Sequence, residues 1–261
     1  MPRPVTVTLT ILPTPQATAA AGAQLFATTA IAAAQSRGRA RIAISGGTTP
    51  KTMFQLLADP AQPYLATIPW DKLDLFWVDE RSVAPDQPDS NYRMTRESLL
   101  DRVPLPAAQV HRMEGELDPE QAASRYESEL RNAFRLEGAE TPTFDLILLG
   151  MGDDGHTASL FPHTEGLEDI THLVIANHVP QKDTWRITLT SPVINQARAV
   201  AFLIEGPAKA SPVAQVFTGP YQPETLPSQL IRPASGSLTV LLDQAAAANL
   251  PAHTGTLTLH L

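Results

Sequence analysis

Apolar and polar residues alternate along this chain in two rhythms. From Val5 to Leu12 (VTVTLTIL) they change every second position, which predicts a strand buried on one face. An Ala-rich stretch follows and predicts a helix to about Ser36. The same reading predicts a strand at Ala40–Ser45, a helix from about Pro50 to Ala58, a strand at Leu73–Val78 and a helix around Tyr92–Leu100. A short strand at Val110–Met113 and an amphipathic helix from Pro119 to Leu136 come next. Phe144–Leu149 (FDLILL) is a continuous apolar run, the pattern of a strand buried on both faces of a parallel sheet. Strands are then expected at His172–His178, Trp185–Thr190, Ala199–Ile204 and Leu238–Leu242, with a helix at Ala208–Phe217. The tail PAHTGTLTLHL reads as an extra terminal strand with no assigned place.

Strands alternating with helices predict an α/β fold: a single domain over residues 1–261, with a mostly parallel, Rossmann-like sheet flanked by helices on both faces. In such sheets ligands sit beyond the C-terminal ends of the strands, so chemistry is expected in strand-to-helix loops.

Composition narrows the choices. With 43% hydrophobic and 18% charged residues in 261, the chain can bury a core. Cysteine is absent, which removes disulfides, thiolate metal sites and a cysteine nucleophile. Met1–Leu12 lacks the basic start and apolar run of a signal peptide, and the Ala-rich stretch is broken by Thr, Gln and Gly, so a cytoplasmic protein without a membrane span is expected. Lys+Arg number 19 against 27 Asp+Glu, for a net charge of -8, and no basic cluster argues for nucleic-acid binding. A protein of that charge can hold a phosphate only by gathering its few cations at one place.

Three loops carry candidate chemistry. Ser45-Gly46-Gly47-Thr48-Thr49-Pro50 joins a strand to a helix, and its backbone N–H groups and hydroxyls suit a phosphate. A tight turn with a threonine cap explains it equally well. Val78-Asp79-Glu80-Arg81 places consecutive charges at the end of an apolar strand, either to serve a site or to meet solvent. Ser90 or Asn91 would cap the next helix, with Asn91 and Arg93 as further candidates. Gly150-Met151-Gly152-Asp153-Asp154-Gly155-His156-Thr157 matches GxGxxG, but Asp153 and Asp154 would repel a pyrophosphate and Pro162 cuts short any following helix. Its informative residue is His156, which titrates near ~6.5 when unperturbed and can serve as a base. A structural histidine is the alternative. His156, His163, His172 and His178 show no metal-ligand spacing, so no metal and no cofactor are expected.

Together these segments resemble the 6-phosphogluconolactonase family, within the superfamily that also holds glucosamine-6-phosphate deaminases. SGGTTPKTMFQLL, FWVDERSVAPDQPDSNYRM, LILLGMGDDGHTASLFP and WRITLTSPVINQARAVAFLIEGPAKA carry the likeness, which runs from about residue 14 to about residue 248. It implies hydrolysis of 6-phospho-D-glucono-1,5-lactone to 6-phosphogluconate, with a sugar-phosphate lactone as the only expected partner and a monomer or weak homo-oligomer as the assembly. His156 would be the general base and Asp154 would place and polarise it. Lys209 would bind phosphate with Ser45, Gly46, Gly47 and Thr48. Arg81 would lie near the phosphate or the lactone oxygens, Arg186 would be a further candidate for that charge, and Asn91 would face the substrate. The rivals are a deaminase and a sugar-phosphate sensor. The deaminase carries an asparagine-glutamate-proline segment where this chain reads TASLFPHTEG. The sensor would need a DNA-binding segment ahead of Val5. No GxSxG elbow suggests a serine route.

Overall fold

Alternation in the first strand sorts its residues: Val7 and Leu9 are buried while Thr6 faces solvent. The computed structural model describes residues 5–251 and 255–260. Its elements in chain order are β1 (Thr6–Leu12), α1 (Pro15–Arg37), β2 (Ala40–Ile44), α2 (Thr48–Ala58), α3 (Tyr64–Thr67), β3 (Leu73–Trp77), β4 (Asp79–Arg81), α4 (Asn91–Ser98) and β5 (Val110–His111). They continue with α5 (Pro119–Phe134), β6 (Leu146–Leu149), β7 (Val174–Val179), β8 (Thr184–Leu189), α6 (Ser191–Asn195), β9 (Ala199–Ile204), α7 (Ala210–Thr218), β10 (Ser237–Asp243) and β11 (Gly255–His260).

The Ala-rich α1 starts where Thr14 accepts a hydrogen bond from the Ala17 N–H (3.1 Å) and Pro15 presets the first turn. Ala19, Ala23, Phe26, Ala30 and Ala33 recur at helical spacing and form its buried stripe. By length and composition α1 is apolar enough to cross a membrane, yet 50% of that stretch is buried inside the fold.

The central sheet runs β11-β1-β10-β9-β6-β2-β3-β5, parallel throughout except that β11 lies antiparallel on β1. β11 is thus the place of the tail strand; residues 252–254 of that tail, with 1–4 and 261, lie outside the described residues. Right-handed crossovers put α1, α2 and α4 on one face, because the steps from β1 to β2, β3 and β5 run in one direction. The steps from β5 to β6, β9 and β10 run back, which puts α5 and α7 on the other face. Neighbouring residues of β9 confirm two covered faces: Leu203 lies against Gly22 of α1, while Phe202 meets the Phe217 ring of α7 edge-on at 6.1 Å.

β7 and β8 do not join this sheet. They form an antiparallel hairpin that pairs with β4 in the order β4-β8-β7, packed on α5. Only residues 180–183 separate the two strands, too few for the crossover that parallel pairing requires. The Asp79–Arg81 segment, read from sequence as a loop, becomes an edge of this small sheet.

β2 and β6 are neighbours, yet the chain leaves β2 toward one face and β6 toward the other. The parting of those loops opens a crevice at the C-terminal ends of the strands, where doubly wound sheets bind their ligands.

The opposite edge carries a titrating contact. The His111 ring stacks on Phe76 (centroids 4.3 Å, interplanar angle 7°), and its Nδ1 lies 2.6 Å from the Glu129 carboxylate, with Asp74 at 3.8 Å from Nε2. Burial works to lower its pKa, but Asp74 and Glu129 outweigh it and the balance is upward. Folding therefore favours the protonated ring. That stabilisation is complete below the ordinary histidine value and fades as pH rises through the raised one. His111→Phe, which keeps the stack, is expected to cost stability at about pH 6 and little at about pH 9. Urea midpoints of both proteins across that range test it; a pH-independent gap would contradict it.

Candidate functional site

At the crevice lies a cleft of about 260 Å³. Loops after β2, β6 and β9 supply Ser45, Gly46, Gly150–Gly152 and Lys209, and the small sheet supplies Asp79, Arg81 and Arg186. His156, Ala158, Ser159 and Phe161 come from the long loop after β6, Asn91 from the start of α4, and Lys182 from the β7–β8 turn.

Ser45 is buried, and its hydroxyl donates to the Leu148 carbonyl (2.8 Å), tying the end of β2 to β6. Helix α2 begins at Thr48 with Gly47 as its cap, and among the described residues no side chain caps its first turn. Gly47 and Thr48 sit on the exposed rim and do not line the cleft. Asn91 is 1% exposed; its Nδ2 donates to the Asp79 carbonyl (2.9 Å) and its Oδ1 has no partner among the described residues. That oxygen fills the space where a side chain at Gly46 would stand, so only glycine fits there. Arg93 turns away to Glu97, four residues along α4, at 2.7 Å.

Glu80 explains how these groups are held. It is 2% exposed, and its carboxylate accepts from the N–H groups of Arg81 (2.8 Å), Asn91 (2.7 Å) and Tyr92 (2.8 Å) and from the Ser90 hydroxyl (3.1 Å). Burial pushes its pKa up and the backbone donors pull against that. Ser90 is the cap of α4, accepting from the Arg93 N–H at 3.1 Å. Asp79 accepts from the Ser159 hydroxyl (2.7 Å), which links the small sheet to the His156 loop.

His156 is oriented by Asp154. The carboxylate Oδ1 meets ring Nδ1 at 2.5 Å and also accepts from the His156 N–H at 3.1 Å. Burial works to raise the pKa of Asp154, but the hydrogen bond and charge of His156 prevail and hold it at about 2. An ionised carboxylate can only accept, so Nδ1 carries a hydrogen, and in the uncharged form of the ring Nε2 is a lone pair with no partner among the described residues. Asp154 itself stands behind the ring and does not line the cleft. Phe161 stacks on the imidazole (centroids 3.9 Å, 23°). A Cβ at Gly152 would fall 2.0 Å from His156 Nδ1 and 2.4 Å from Asp154 Oδ1, so the pair needs a glycine behind it. Gly152→Ala is expected to displace the pair and cost at least about tenfold in turnover while the protein stays folded. Steady-state kinetics with circular dichroism checks this; unchanged turnover would contradict it.

Arg81, Lys182, Arg186 and Lys209 line the cleft, and none forms a salt bridge among the described residues. Arg81 faces Arg186 directly across β4 and β8, a like-charged pair that is unfavourable by itself. Burial first, and then the charge of Arg81, lower the pKa of Arg186. Such a pair is a place for an anion. Sequence reading passed over Lys182, which no motif marks, and left Asp79 and Phe161, both inside quoted segments, without a role. Among the described residues no group of three or more His, Asp or Glu is arranged to hold a metal ion.

Strand order and cleft position define an α/β protein with its ligand site at the switch point of a mostly parallel sheet. More particularly, the chain belongs to the glucosamine-6-phosphate isomerase/6-phosphogluconolactonase family, whose profile matches residues 13–240. A 6-phosphogluconolactonase of Synechocystis sp. is 46% identical over 215 residues, 82% of this chain and 86% of the relative. The solved 6-phosphogluconolactonase from Trypanosoma cruzi superposes with a TM-score of 0.81 at 28% identity, covering 94% of this chain and 97% of that one. A monomeric glucosamine-6-phosphate deaminase superposes at 0.75 over 92% of this chain and 99% of its own; at 19% identity that likeness is one of fold alone.

Proposed function

We propose that this protein hydrolyses 6-phospho-D-glucono-1,5-lactone to 6-phosphogluconate, with His156 as the general base. One observation carries the reading: the His156 ring, held by an ionised Asp154, turns to the cleft an Nε2 without a partner among the described residues, and among those residues the cations of the cleft form no salt bridge. The names of the relatives supply the substrate class.

In this reading Lys209, Ser45 and Gly46 ahead of α2 and the Arg81–Arg186 pair hold the phosphate, far from the reacting carbon, so that its binding energy positions the ester. Nε2 takes a proton from water as the oxygen attacks C1, forming a tetrahedral oxyanion. Donors aimed at that oxygen contribute about 3–4 kcal/mol in comparable sites. The C1–O5 bond then breaks, and the imidazolium returns its proton to O5. A lactone is already an activated ester, so neither a covalent intermediate nor a cofactor is called for.

The test generates the lactone in situ and follows ring opening against the spontaneous rate. The expected result is acceleration above buffer. Absence of acceleration overturns the reading and directs attention to glucosamine 6-phosphate turnover.

A further inference from the structure

Lys182 is the cation of the cleft to which the reaction above gives no task. It stands at the tip of the β7–β8 hairpin, exposed, in the turn Pro180–Lys182. The turn is shaped by Pro180 and by Asp183, a non-glycine residue with a left-handed φ of 44° whose N–H donates to the Pro180 carbonyl at 3.1 Å. Next to Lys182, the Gln181 amide donates to the Pro162 carbonyl (3.2 Å), fastening the tip to the loop that carries Phe161. The Lys182 ammonium lies 5.7 Å from the centroid of the Phe161 ring, and that same ring stacks on His156 at 3.9 Å. An ammonium at this distance is attracted to the ring face, which ties it to the same ring that holds the base. Among the described residues no carboxylate forms an ion pair with it.

The substrate brings a phosphate, and the reaction creates a second negative charge at C1, first as an oxyanion and then as a carboxylate. Lys209 stands with the Ser45–Gly46 loop, and Arg81 and Arg186 oppose each other across two strands. Lys182 alone of these cations shares an aromatic ring with His156. We propose that Lys182 binds the oxyanion formed at C1 and the carboxylate it becomes, making a second anion subsite apart from the one for phosphate. The inference rests on the lactonase reading. A flexible point charge suits an anion that changes geometry during the reaction better than a rigid guanidinium fork would. Lys182 stays protonated throughout and forms no bond: one proton of the water passes through His156 to O5, and the other, left on the new carboxylic acid, is lost to solvent as the carboxylate forms.

The experiment compares two ligands by calorimetry on wild type, Lys182→Met and Lys182→Arg. 6-Phosphogluconate carries both phosphate and carboxylate; glucitol 6-phosphate carries the phosphate with a neutral C1. Lys182→Met is expected to weaken 6-phosphogluconate binding roughly tenfold or more while glucitol 6-phosphate changes less than about twofold. In kinetics kcat falls by more than KM rises, and Lys182→Arg recovers part of both losses. Equal weakening of the two ligands would assign Lys182 to the phosphate or to the general field of the cleft and overturn the inference, as would no weakening of either. A wild type that binds neither ligand and opens no lactone defeats the lactonase reading itself, a result separate from a wild type that does both beside an unaffected Lys182→Met.

Discussion

His156→Ala is expected to lower lactone hydrolysis by about 10²–10⁴-fold, the range for removing a positioned base, while 6-phosphogluconate still binds. The cleft's cations and the Ser45–Thr48 loop are untouched by that change, so a loss of kcat with binding retained separates chemistry from recognition. Asp154→Asn is expected to fall in the same direction by another route. An amide at 154 can donate to Nδ1 and select the tautomer whose Nε2 already carries hydrogen, leaving no lone pair for water. Stopped-flow measurement of ring opening checks both. If His156→Ala kept the wild-type rate, the base would have to be sought elsewhere, with Asp79 the next carboxylate lining the cleft.

Glu80→Ala should produce the largest loss of stability of any single change near the site. The substitution leaves the N–H groups of Arg81, Asn91 and Tyr92 and the Ser90 hydroxyl buried without their acceptor. Stranded buried donors cost about 1–3 kcal/mol each, and partial rescue by water brings the expected total to about 3 kcal/mol. For a chain of this size that corresponds to a drop of roughly 6–12 °C in Tm. Turnover should fall as well, because Arg81 and Asn91 lose their anchor. Glu80→Gln keeps acceptor capacity on one oxygen and is expected to lie between the two. Thermal unfolding followed by circular dichroism decides; a shift below about 2 °C would mean that Glu80 does not hold this corner together.

The parallel core was legible because FDLILL and LDLFW are apolar at nearly every position, a pattern that fits only strands covered on both sides. The hairpin of β7 and β8 was visible as two strands but not as a second sheet, since short strands look alike wherever they pair. Asp79–Arg81 read as a loop because a three-residue strand carries no period to detect. The groups that converge on the cleft were legible because Ser45, His156 and Lys209 follow adjacent strands at their C-terminal ends, and motif and topology agree there. Glu80 was noticed as a charge, but its work as an acceptor depends on where the backbone of residues 90–92 points, which no side-chain pattern records. Arg93 went the other way because Glu97 sits one helical turn along and offers a nearer partner. Lys182 escaped entirely, and Phe161, though inside the quoted LILLGMGDDGHTASLFP segment, was given no role: their meeting depends on how the hairpin tip lands on a loop some twenty residues earlier in the chain.

The pairing of Arg81 with Arg186 across β4 and β8 has a consequence for the lifetime of the protein. With the cleft empty, the fold holds two like charges against each other across paired strands. An anion seated between them relieves that repulsion and is lost on unfolding, so occupancy shifts the unfolding equilibrium, by about 2.7 kcal/mol at a hundredfold excess over Kd. On the proposed reading sugar phosphates would be such anions, so supply would set durability: with them in excess the protein is expected to resist heat and proteolysis, and without them the opened form is expected to be exposed more often to degradation.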